Sequence, residues 1–408
     1  MAVTVSPEAY ARTLDGQIAA ALPDAARRVE AFGARVRAAG LEPHELVDVG
    51  ALARIAVLSK DELLELQTSD PPFGGLLAPG ARVRRVFQSP GPLYEPDLEV
   101  ADPWRAAPAL AVAGFGPDDL VLNAFSYHLS PAGAMFEAAA RALGAAVVPG
   151  GVGNLELQAR ATLDLGVTAY LGLPSYLKAL IEQAEALGAT PETWPLERAL
   201  VSAEPLPGSL RMWLERWTPT VRQLYGTAEA GLVGYECDAL EGLHLPADAL
   251  VEVCDLTTGE ALWDGREGQV VVTLFSTEYP LVRFGTGDLS AFLLDPCPCG
   301  LTTPRLAGWL GRVGEAVKVR GMFLHPRQAQ ETIGGTPGVT GFQLQIDRVD
   351  HRDVLRCAVV AGDPAAGSDL AELVRSRIRS GLRFDADVAL VHAIPPSEPV
   401  LLDRRTWD

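Results

Sequence analysis

Three cysteines and one histidine in the second half of the chain have the residue types of a metal site. Six residues separate Cys237 from His244, and Cys297 and Cys299 form a C-x-C pair. Three thiolates and one imidazole are a common ligand set of closed, structural tetrahedral zinc sites. The C-x-C spacing is tighter than the common C-x2-C, so unlinked thiols and a surface histidine stay an alternative. We predict a structural zinc ion here, without a catalytic role.

Two glycine-rich turns each place an acidic residue where it could bind a small molecule. The turn "LYGTAEAG" (224–231) follows a strand-like segment and contains Glu229. The turn "VRFGTGDLS" (282–290) contains Asp288, whose carboxylate could accept hydrogen bonds from two ribose hydroxyls. Each turn alone is a weak signal, because glycine-rich connections of this kind are also common where no ligand binds.

A third loop begins like a phosphate-binding loop but continues with unusual residues. The loop "FQSPGPLYEP" (87–96) follows the β-like segment "ARVRRVF". A strand followed by small residues and glycine is typical of loops that bind phosphate through backbone N–H groups. Pro90 and Pro92, however, have no backbone N–H to donate. The sequence therefore favours a loop with the shape of a phosphate-binding loop and a weakened hold on phosphate.

The order of the predicted elements places these turns in an α/β protein. Residues 1–80 have helical patterns, including "SKDELLEL" with a capping-box pattern at its start. Between about residues 120 and 204, strand-like and helical segments alternate, which predicts a parallel, helix-covered sheet. Consecutive strands over 249–292 predict a β-rich part, and the segments after residue 311 predict a small α+β domain.

These motifs, taken in order, resemble one enzyme family. The series YGTAE, RFGTGD and "GRVGEAVKVRGMFLHPRQ" (311–328) resembles the adenylate-forming superfamily of acyl-CoA synthetases, and in detail the phenylacetate–CoA ligase family. The segments LSKDEL, SYHLSPAG, LPSYL, SAEPLP and LYGTAEAG also follow that family's order, so the resemblance covers nearly the whole chain. It implies a large N-terminal adenylate-forming domain over residues 1–311 and a small, mobile α+β domain over residues 312–408. The large domain would include the helical start and a zinc-bearing β-rich part over about residues 232–310.

The resemblance implies a nucleotide site for AMP, or for ATP with Mg²⁺. Tyr225, next to Gly226, would stack near the adenine, and Glu204 would contact the adenine edge. Asp288 would bind the ribose hydroxyls, and Arg312 would add a donor to them. These residue types suit their roles, because an aromatic face stacks on a base and a carboxylate accepts hydrogen bonds from a diol.

The resemblance also implies an acyl site. Thr227 and Glu229 would serve the acyl phosphate and Mg²⁺, for which carboxylate oxygen is a suitable ligand. His128 would gate the acyl pocket, lined by "VPGGVGN" (148–154), although a core or loop histidine is an equal alternative. Some relatives of this type carry a zinc at the place of the cysteine–histidine set. A carboxylic acid would be the substrate, with an aromatic acid as one candidate. CoA would be the acceptor, and a homodimer is the expected assembly.

The phosphate loop departs from the family pattern. The family's loop has the sequence Ser-Ser-Gly-Thr-Thr-Gly-Lys-Pro, in which hydroxyls, backbone N–H groups and the lysine hold the phosphates. Here Ser89 and Gly91 remain, but both threonines are absent and an acid near Glu95 replaces the lysine, with Asp97 behind it. Two carboxylates beside a triphosphate would repel it. We therefore expect Ser89 and Gly91 to give only residual phosphate binding.

Two further departures lie near the end of the chain. The family has a C-terminal Gly-Lys segment whose lysine meets the acyl carboxylate during adenylation. Ser397 and Glu398 resemble the start of that segment, but none of the chain's three lysines follows them. Arg404 or Arg405 could substitute only as a permanent cation with a different reach. Gly314 replaces the hinge acid, and glycine can still absorb a hinge rotation.

Composition limits the partners. The chain has 408 residues, of which 48% are hydrophobic, enough for two or three domains with real cores. The net charge of −18 argues against nucleic acid or an anionic membrane as a main partner. We expect no signal peptide and no membrane span, because no long apolar segment is present. Five cysteines, an odd number, favour a reducing compartment, so the cytoplasm is the expected location.

Three functions fit the sequence. The first is an AMP-forming ligase that activates a carboxylic acid and transfers it to CoA. The second is a non-adenylating enzyme on the same fold, such as a hydrolase or cyclase, with a general base near His128 and Glu229. The third is a non-catalytic protein that binds a nucleotide or a CoA ester. The nucleotide residues favour the first function, whereas the altered loop and the missing lysine favour the other two.

Overall fold

A computed structural model describes residues 5–89, 91–313, 317–320, 322–324, 326–363, 367–395 and 398–406. The chain divides into two compact units. The first contains residues 1–206 and 211–313, and the second contains residues 207–210 and 314–408. The boundary predicted after residue 311 lies close to this division. Three residues on which expectations rest, Pro90, Gly314 and Ser397, lie outside the described residues.

Helices open the first unit, as predicted for residues 1–80. They are α1 (Pro7–Thr13), α2 (Asp15–Arg28), α3 (Glu30–Ala38), α4 (Val49–Ala53) and α5 (Lys60–Ser69), with a 3₁₀ turn at Pro43–Glu45. Ile18, Leu22 and Phe32 are fully buried in the core that these helices share. The predicted capping box starts α5, since Ser59 Oγ accepts from the Glu62 N–H at 3.2 Å and Glu62 Oε2 accepts from the Ser59 N–H at 2.8 Å. This cap fixes the start of the helix, where Lys60 lies.

The unusual loop joins two antiparallel strands. They are β1 (Val83–Gln88) and β2 (Tyr94–Leu98). Phe87 lies opposite Glu95, and Arg85 lies opposite Asp97. Directly opposite residues of antiparallel strands share one face of the hairpin, and Phe87, Glu95 and Asp97 are all buried. The hairpin therefore turns both of these acidic residues inward.

Alternating helices and strands follow, as the sequence predicts. They are α6 (Ala107–Val112), β3 (Leu120–Asn123), α7 (Ala132–Ala142), β4 (Ala146–Val148), α8 (Leu155–Leu165), β5 (Ala169–Gly172), α9 (Pro174–Ala186), β6 (Arg198–Val201), α10 (Gly208–Leu214), β7 (Thr220–Thr227), β8 (Gly231–Tyr235) and β9 (Leu243–His244). Strands β4, β3, β5, β6 and β7 are parallel neighbours in that order. In open α/β sheets, ligands bind beyond the carboxyl ends of such strands. Glu204 follows β6 at this edge, and Tyr225 lies near the carboxyl end of β7.

The predicted β-rich part is also present. Its strands are β10 (Ala249–Cys254), β11 (Gly268–Leu274), β12 (Phe284–Ser290), β13 (Phe292–Leu293), β14 (Arg305–Leu306) and β15 (Gly311–Arg312). Strands β10, β11, β12 and β15 form an antiparallel sheet in that order. Strands β13 and β14 continue the larger sheet beyond β9, so that this sheet has nine described strands.

The segment before α5 is attached to β12. Leu58 forms a parallel bridge with Phe284, in which the Leu58 N–H donates to Arg283 O at 2.8 Å. The buried Arg283 guanidinium donates to Ala53 O at 3.1 Å and to Ile55 O at 2.8 Å. These bonds join the N-terminal helices to the strand that contains Asp288.

The second unit is a small α+β domain, as predicted. Its elements are β16 (Val317–Val319), β17 (Met322–Leu324), α11 (Pro326–Ala329), β18 (Val339–Val349), β19 (Arg352–Ala361), α12 (Gly367–Arg377), β20 (Ala386–Val391) and β21 (Leu401–Asp403), with π-helical turns at Gln330–Gly334 and Ile378–Leu382. Strands β20, β19, β18 and β21 form one sheet, and Leu344, Val359 and Val374 lie in its buried core. Within the described part of the chain, no helix is both long and apolar enough to cross a bilayer.

Candidate active site

Asp288 is the centre of the predicted ribose-binding group. It lies on β12 opposite Arg312 on β15, and Arg312 Nη2 is 2.9 Å from Asp288 Oδ1. Tyr225 on β7 donates its hydroxyl to Asp288 Oδ2 at 3.0 Å. The fold thus brings together three of the residues that the sequence assigns to a nucleotide.

Two residues that the sequence analysis missed complete this group. Trp309 Nε1 donates to Asp288 Oδ1 at 3.1 Å. Thr286 Oγ1 accepts from the Asp288 N–H at 3.1 Å and lies 3.2 Å from the Tyr225 hydroxyl. Thr286 lies inside the GTGD motif, and Trp309 lies three residues before Arg312. Their closeness to these motifs could have indicated both residues from the sequence. We call Tyr225, Thr286, Asp288, Trp309 and Arg312 the Asp288 group.

Burial sets the charges of the Asp288 group. Burial raises the pKa of Tyr225 well above its usual value, and the charge of Asp288 raises it further, so the phenol stays neutral and donates. Burial lowers the pKa of Arg312, and the charge of Asp288 opposes that change. Arginine remains charged in proteins, so the pair with Asp288 is ionic. Each carboxylate oxygen has two lone pairs, which leaves Asp288 able to accept from a diol as well.

Two other residues assigned to the nucleotide lie at the same edge of the sheet. Glu204 is buried, and its backbone carbonyl accepts from Gln223 Nε2 at 3.3 Å. Gly226 lies at an irregularity in the pairing of β7 with β8. A Cβ at Gly226 would lie 2.8 Å from Gly231 O, so this close approach of two strands requires glycine. Their predicted contacts with adenine stay predictions.

Glu229 has a partner that the sequence analysis missed. Lys60 Nζ lies 3.1 Å from Glu229 Oε1, and the Glu229 side chain is 3% exposed. Thr227 Oγ1 accepts from the Ala230 N–H at 3.0 Å and so shapes the turn that presents Glu229. Burial acts to raise the pKa of Glu229, but the charge of Lys60 and hydrogen bonds from Lys60 and Thr227 outweigh it, and the pKa is lowered. Glu229 is therefore ionised, with a built-in counter-ion.

Glu95 is a second buried acid near this ion pair. It is 2% exposed, and among the described residues no hydrogen-bond partner reaches its Oε1. Burial raises the pKa of Glu95 well above its usual range, the charge of Glu229 raises it further, and the charge of Lys60 lowers it. Lys60, Glu95 and Glu229, here called the Lys60 cluster, thus combine a cation with one carboxyl group whose pKa is lowered and one whose pKa is raised.

The hairpin corrects one expectation about the phosphate loop. Arg84 Nη2 lies 2.9 Å from Asp97 Oδ1, and Arg85 Nε lies 2.7 Å from Asp97 Oδ2. The prediction that Asp97 adds to the repulsion of a triphosphate is wrong, because two guanidinium groups neutralise this carboxylate. Ser89 is buried, and Gly91 is partly exposed at the loop. Their residual phosphate contacts stay predictions.

His128 lies in an exposed loop after β3. Its backbone N–H donates to Ser126 Oγ at 3.2 Å, and its carbonyl accepts from the Ser130 N–H at 2.6 Å. The same loop contacts the hairpin, since the Gln88 N–H donates to Leu129 O at 2.8 Å. The imidazole is therefore presented on the surface of the first unit, and its gating role stays a prediction.

The glycine-rich segment 148–154 is held in a fixed shape. Gln158 Nε2 donates to the carbonyls of Gly150, Gly151 and Gly153 at 3.1, 3.0 and 2.8 Å. Tyr176 OH donates to Gly153 O at 2.9 Å. One buried amide and one phenol thus order a loop that the sequence assigns to the acyl pocket.

The second unit corrects an expectation about its last arginines. Arg405 Nη1 lies 2.9 Å from Asp353 Oδ2, and its Nη2 lies 2.7 Å from Asp403 Oδ2. The Arg405 side chain is 3% exposed. Arg405 is therefore a structural cation inside its own unit and not a substitute for the missing lysine, whereas Arg404 is exposed.

The four predicted zinc ligands come together in the first unit. The ligand atoms of Cys237, His244, Cys297 and Cys299 all lie within 4.8 Å of one another. Cys237 Sγ is 3.5 Å from Cys297 Sγ, and Cys299 Sγ is 3.4 Å from His244 Nε2. Ligands about 2.0–2.3 Å from a tetrahedral zinc are separated by about 3.3–3.8 Å. His244 Nδ1 donates to Thr303 O at 2.9 Å, which leaves Nε2 as the ligand atom.

Comparison with known proteins identifies the family. The model of the family described as "AMP-binding enzyme" matches residues 105–274. The phenylacetate-coenzyme A ligase of Thermus thermophilus is 31% identical over 341 residues, which are 80% of this chain and 76% of that protein. The chain belongs to the phenylacetate–CoA ligase family.

Other members of the phenylacetate–CoA ligase family match over most of their length. The enzyme of Aromatoleum evansii is 28% identical over 390 residues, 90% of this chain and 86% of that protein. The enzyme of Escherichia coli K12 is 27% identical over 400 residues, 92% of this chain and 90% of that protein. The prediction of a divergent AMP-forming acid–CoA ligase is thus confirmed at the level of the family.

Solved structures confirm the predicted adenylate-forming α/β fold. The crystal structure of 2-hydroxyisobutyryl-CoA ligase in complex with 2-HIB-AMP and CoA matches with a TM-score of 0.87 and 24% identity, covering 97% of this chain and 90% of that chain. The amide bond synthetase McbA of Marinactinospora thermotolerans matches with a TM-score of 0.58 and 18% identity, covering 76% of this chain and 65% of that chain. At these identities the matches concern the fold.

Proposed function

We propose that this family member binds the AMP portion of an acyl adenylate at the Asp288 group and passes the acyl group to CoA. The observation that carries the proposal is the buried carboxylate of Asp288, held by Tyr225, Trp309 and Arg312 at 2.9–3.1 Å. A carboxylate fixed by three donors is pre-organised to accept hydrogen bonds from two ribose hydroxyls. Such pre-organisation reduces the entropy lost on binding.

The acyl portion would lie near His128 and the ordered segment 148–154. The relatives are named phenylacetate ligases, which supports an aromatic acid as the first substrate to test. Glu229 would contribute to Mg²⁺ binding through Oε2, which no described residue reaches by a hydrogen bond. Mg²⁺ prefers carboxylate oxygen and phosphate oxygens together, and it would supply charge stabilisation beside the phosphate. Lys60 supplies one fixed positive charge at the same carboxylate.

Titration calorimetry with AMP tests this proposal. We expect AMP to bind, and Asp288→Ala to weaken binding by about 1–3 kcal/mol, the scale of hydrogen bonds to a charged group. Asp118→Ala is the matched control, because Asp118 is an exposed acid in a loop. No AMP binding by folded wild-type protein, or equal binding by the Asp288→Ala variant, would contradict the proposal.

One observation favours a second function, a hydrolase that acts on an acyl thioester or adenylate. In the Lys60 cluster, the pKa of Glu229 is lowered and the pKa of Glu95 is raised, and the charges of the two groups interact. Two carboxyl groups with separated pKa values are a common acid–base pair. Release of the free acid from an acyl-CoA without added nucleotide, lost in Glu229→Gln, would support hydrolysis. Absence of such release across short, long and aromatic acyl-CoA esters would exclude this second function.

We also propose one structural zinc per chain, bound by Cys237, His244, Cys297 and Cys299. The segments that contain these residues would be joined by the metal, which would contribute to stability. Metal analysis of protein purified without added zinc should give about one equivalent. Cys297→Ser should lower both the zinc content and the unfolding temperature, whereas Cys357→Ser, at a buried cysteine of the second unit, should leave the zinc content unchanged. Zinc-free protein with three freely titratable thiols would disprove the site.

A cytoplasmic location and a homodimer complete the proposal. None of the five cysteines forms a disulfide, which supports a reducing compartment. Light scattering on purified protein tests the dimer, and a monomer mass at micromolar concentration would contradict it. Fractionation of the native host tests the location.

A further inference from the structure

The two steps of an AMP-forming ligase make different demands on a site. In adenylation, the acid's carboxylate oxygen attacks the α-phosphorus of ATP, and the bond to pyrophosphate breaks. In thioester formation, the CoA sulfur attacks the acyl carbonyl carbon, the bond to AMP oxygen breaks, AMP takes the electron pair and the thiol proton is released. ATP brings several negative charges, whereas the phosphate of an acyl adenylate carries one. Only the first step therefore needs a set of cations and N–H donors for a triphosphate.

The altered hairpin of this chain lacks most of the donors with which the family's loop holds a triphosphate. Pro92 in the loop has no N–H to donate. Glu95 is buried where the family resemblance places a lysine. Arg84 and Arg85 share the single carboxylate of Asp97, which leaves one net positive charge on strand β1 and none in the loop that follows it. The ammonium of Lys60 is 3.1 Å from the Glu229 carboxylate. The Lys60 cluster thus has no net positive charge to offset the β- and γ-phosphates.

The C-terminal segment, in which the family has its adenylation lysine, also differs from the family pattern. Glu398 Oε2 accepts from Gln343 Nε2 at 2.7 Å, and β21 follows within the sheet of the second unit. The two residues after Glu398 are Pro399 and Val400. Arg405 is bound to Asp353 and Asp403. Between Glu398 and residue 406, the described segment thus contains no lysine to meet an acyl carboxylate.

The groups that a preformed acyl adenylate needs are present. The Asp288 group is assembled for the nucleoside. Lys60 places one positive charge beside Glu229, next to the Thr227 turn. Because the Lys60–Glu229 pair carries no net charge, it does not repel the single charge of an acyl phosphate, whereas the several charges of a triphosphate need cations that this pair does not supply.

We propose that the protein catalyses only thioester formation, from an acyl adenylate that another, adenylating enzyme supplies. This inference rests on the proposed AMP site of the preceding section. The supplying reaction must be an ATP-dependent activation of a carboxylic acid that releases pyrophosphate. The products of the present step are an acyl-CoA, AMP and a proton.

Two reactions with the full-length protein test the inference. In the first, synthetic acetyl, hexanoyl, benzoyl and phenylacetyl adenylates are mixed with CoA, and acyl-CoA and AMP are measured by chromatography. In the second, the corresponding acids are mixed with ATP, Mg²⁺ and CoA, and pyrophosphate is measured. We expect at least one adenylate to react about 100-fold faster than without protein, and no pyrophosphate above background. Asp288→Ala should lose the acceleration, and Asp118→Ala should keep it.

The other outcomes distinguish a failure of this inference from a failure of the proposed function. Pyrophosphate release within about tenfold of the thioester rate would overturn the inference, because the protein would then be a complete ligase. No acceleration with any of the four adenylates would also overturn it. If AMP still binds and Asp288→Ala abolishes binding, that failure leaves the proposed nucleotide site intact. If AMP does not bind at all, the proposed function fails as well.

Discussion

Asp288 and Glu95 are both buried acids of the first unit, but their surroundings differ. Asp288 has donors on both oxygens, from Tyr225, Trp309 and Arg312. Glu95 has an oxygen that no described residue reaches by a hydrogen bond, and its charged neighbours are one acid and one base. Burial disfavours an ionised carboxylate unless donors or cations compensate. Asp288 is therefore built to be an anion and Glu95 to be neutral.

The comparison separates two designs of a buried acid. A buried anion held by three donors is costly to assemble, and it is suited to accept hydrogen bonds from a nucleoside. A neutral acid on the hairpin is compatible with a packed interior and contributes nothing to phosphate binding. The proposed nucleoside site around Asp288 and the hairpin that contains Glu95 thus differ in physical design within one unit.

Lys60→Met should have the largest effect, on stability. It removes the counter-ion of Glu229, whose side chain is 3% exposed while that of Lys60 is 24% exposed. Breaking a buried ion pair by removing one partner typically costs about 3–5 kcal/mol, and we expect the lower end because Lys60 is partly exposed. Denaturant unfolding at pH 7 measures the loss.

A double variant and a pH series test whether the loss of stability comes from the unpaired charge of Glu229. Lys60→Met with Glu229→Gln should recover part of the loss, because no charge is then left unpaired. The lowered pKa of Glu229 stabilises the folded state above the usual glutamate pKa, and this contribution is lost as the pH falls through the lowered value. The difference between wild type and Lys60→Met should therefore shrink in acid. An unchanged difference at low pH would show that Lys60 acts through packing.

The sequence could predict three members of the Asp288 group but not the assembly of the Lys60 cluster. Tyr225, Asp288 and Arg312 lie in motifs whose order indicates a family. Lys60 and Glu229 are 169 positions apart, and their contact depends on the attachment of the segment before α5 to β12. The neutralisation of Asp97 similarly depends on the register of β1 and β2, which no motif specifies.

Repair of the hairpin should have the next largest effect. Pro90→Ser, Pro92→Thr and Glu95→Lys together restore donors and a cation, and electrostatic groups of this kind are often worth about 100- to 1000-fold in rate. We expect a rise of that order in acid-dependent ATP–pyrophosphate exchange over the wild-type background. The two-proline variant that retains Glu95 is the control that isolates the charge.

The repaired protein must first be shown to be folded, because loss of two prolines loosens a loop. Ordinary exchange by wild-type protein would mean that the loop still functions in adenylation. If no acid in a broad panel supports exchange even after repair, a cation at position 95 is not the missing element and a non-adenylating function gains support.

AMP should bind more tightly than ATP, by about tenfold or 1.4 kcal/mol. In the proposed site, both ligands would share the nucleoside contacts of the Asp288 group, but only ATP would place extra charge near the Lys60 cluster. Calorimetry with each ligand in Mg²⁺ buffer gives the ratio. Tighter binding of ATP would mean that the hairpin region attracts phosphate, and the contrast between the two regions would then be mistaken.

Glu95→Gln should have the smallest effect, and its sign depends on pH. The pKa of Glu95 is raised in the folded protein by burial and by Glu229, so the folded state binds more protons than the unfolded state above the usual glutamate pKa. Wild-type stability therefore falls as the pH rises through that window. Glutamine resembles the protonated acid and does not titrate.

We therefore expect Glu95→Gln to match wild type near pH 5 and to gain about 1 kcal/mol near pH 8, because glutamine does not have to take up a proton on folding. Urea unfolding at the two pH values measures the gain, with Asp118→Asn as the exposed control. An equal effect at both pH values would show that the proton balance of Glu95 is the same in the folded and unfolded states. A loss near pH 8 would show that Glu95 is an ionised, stabilising partner of Lys60, because only a charged carboxylate would then be missed.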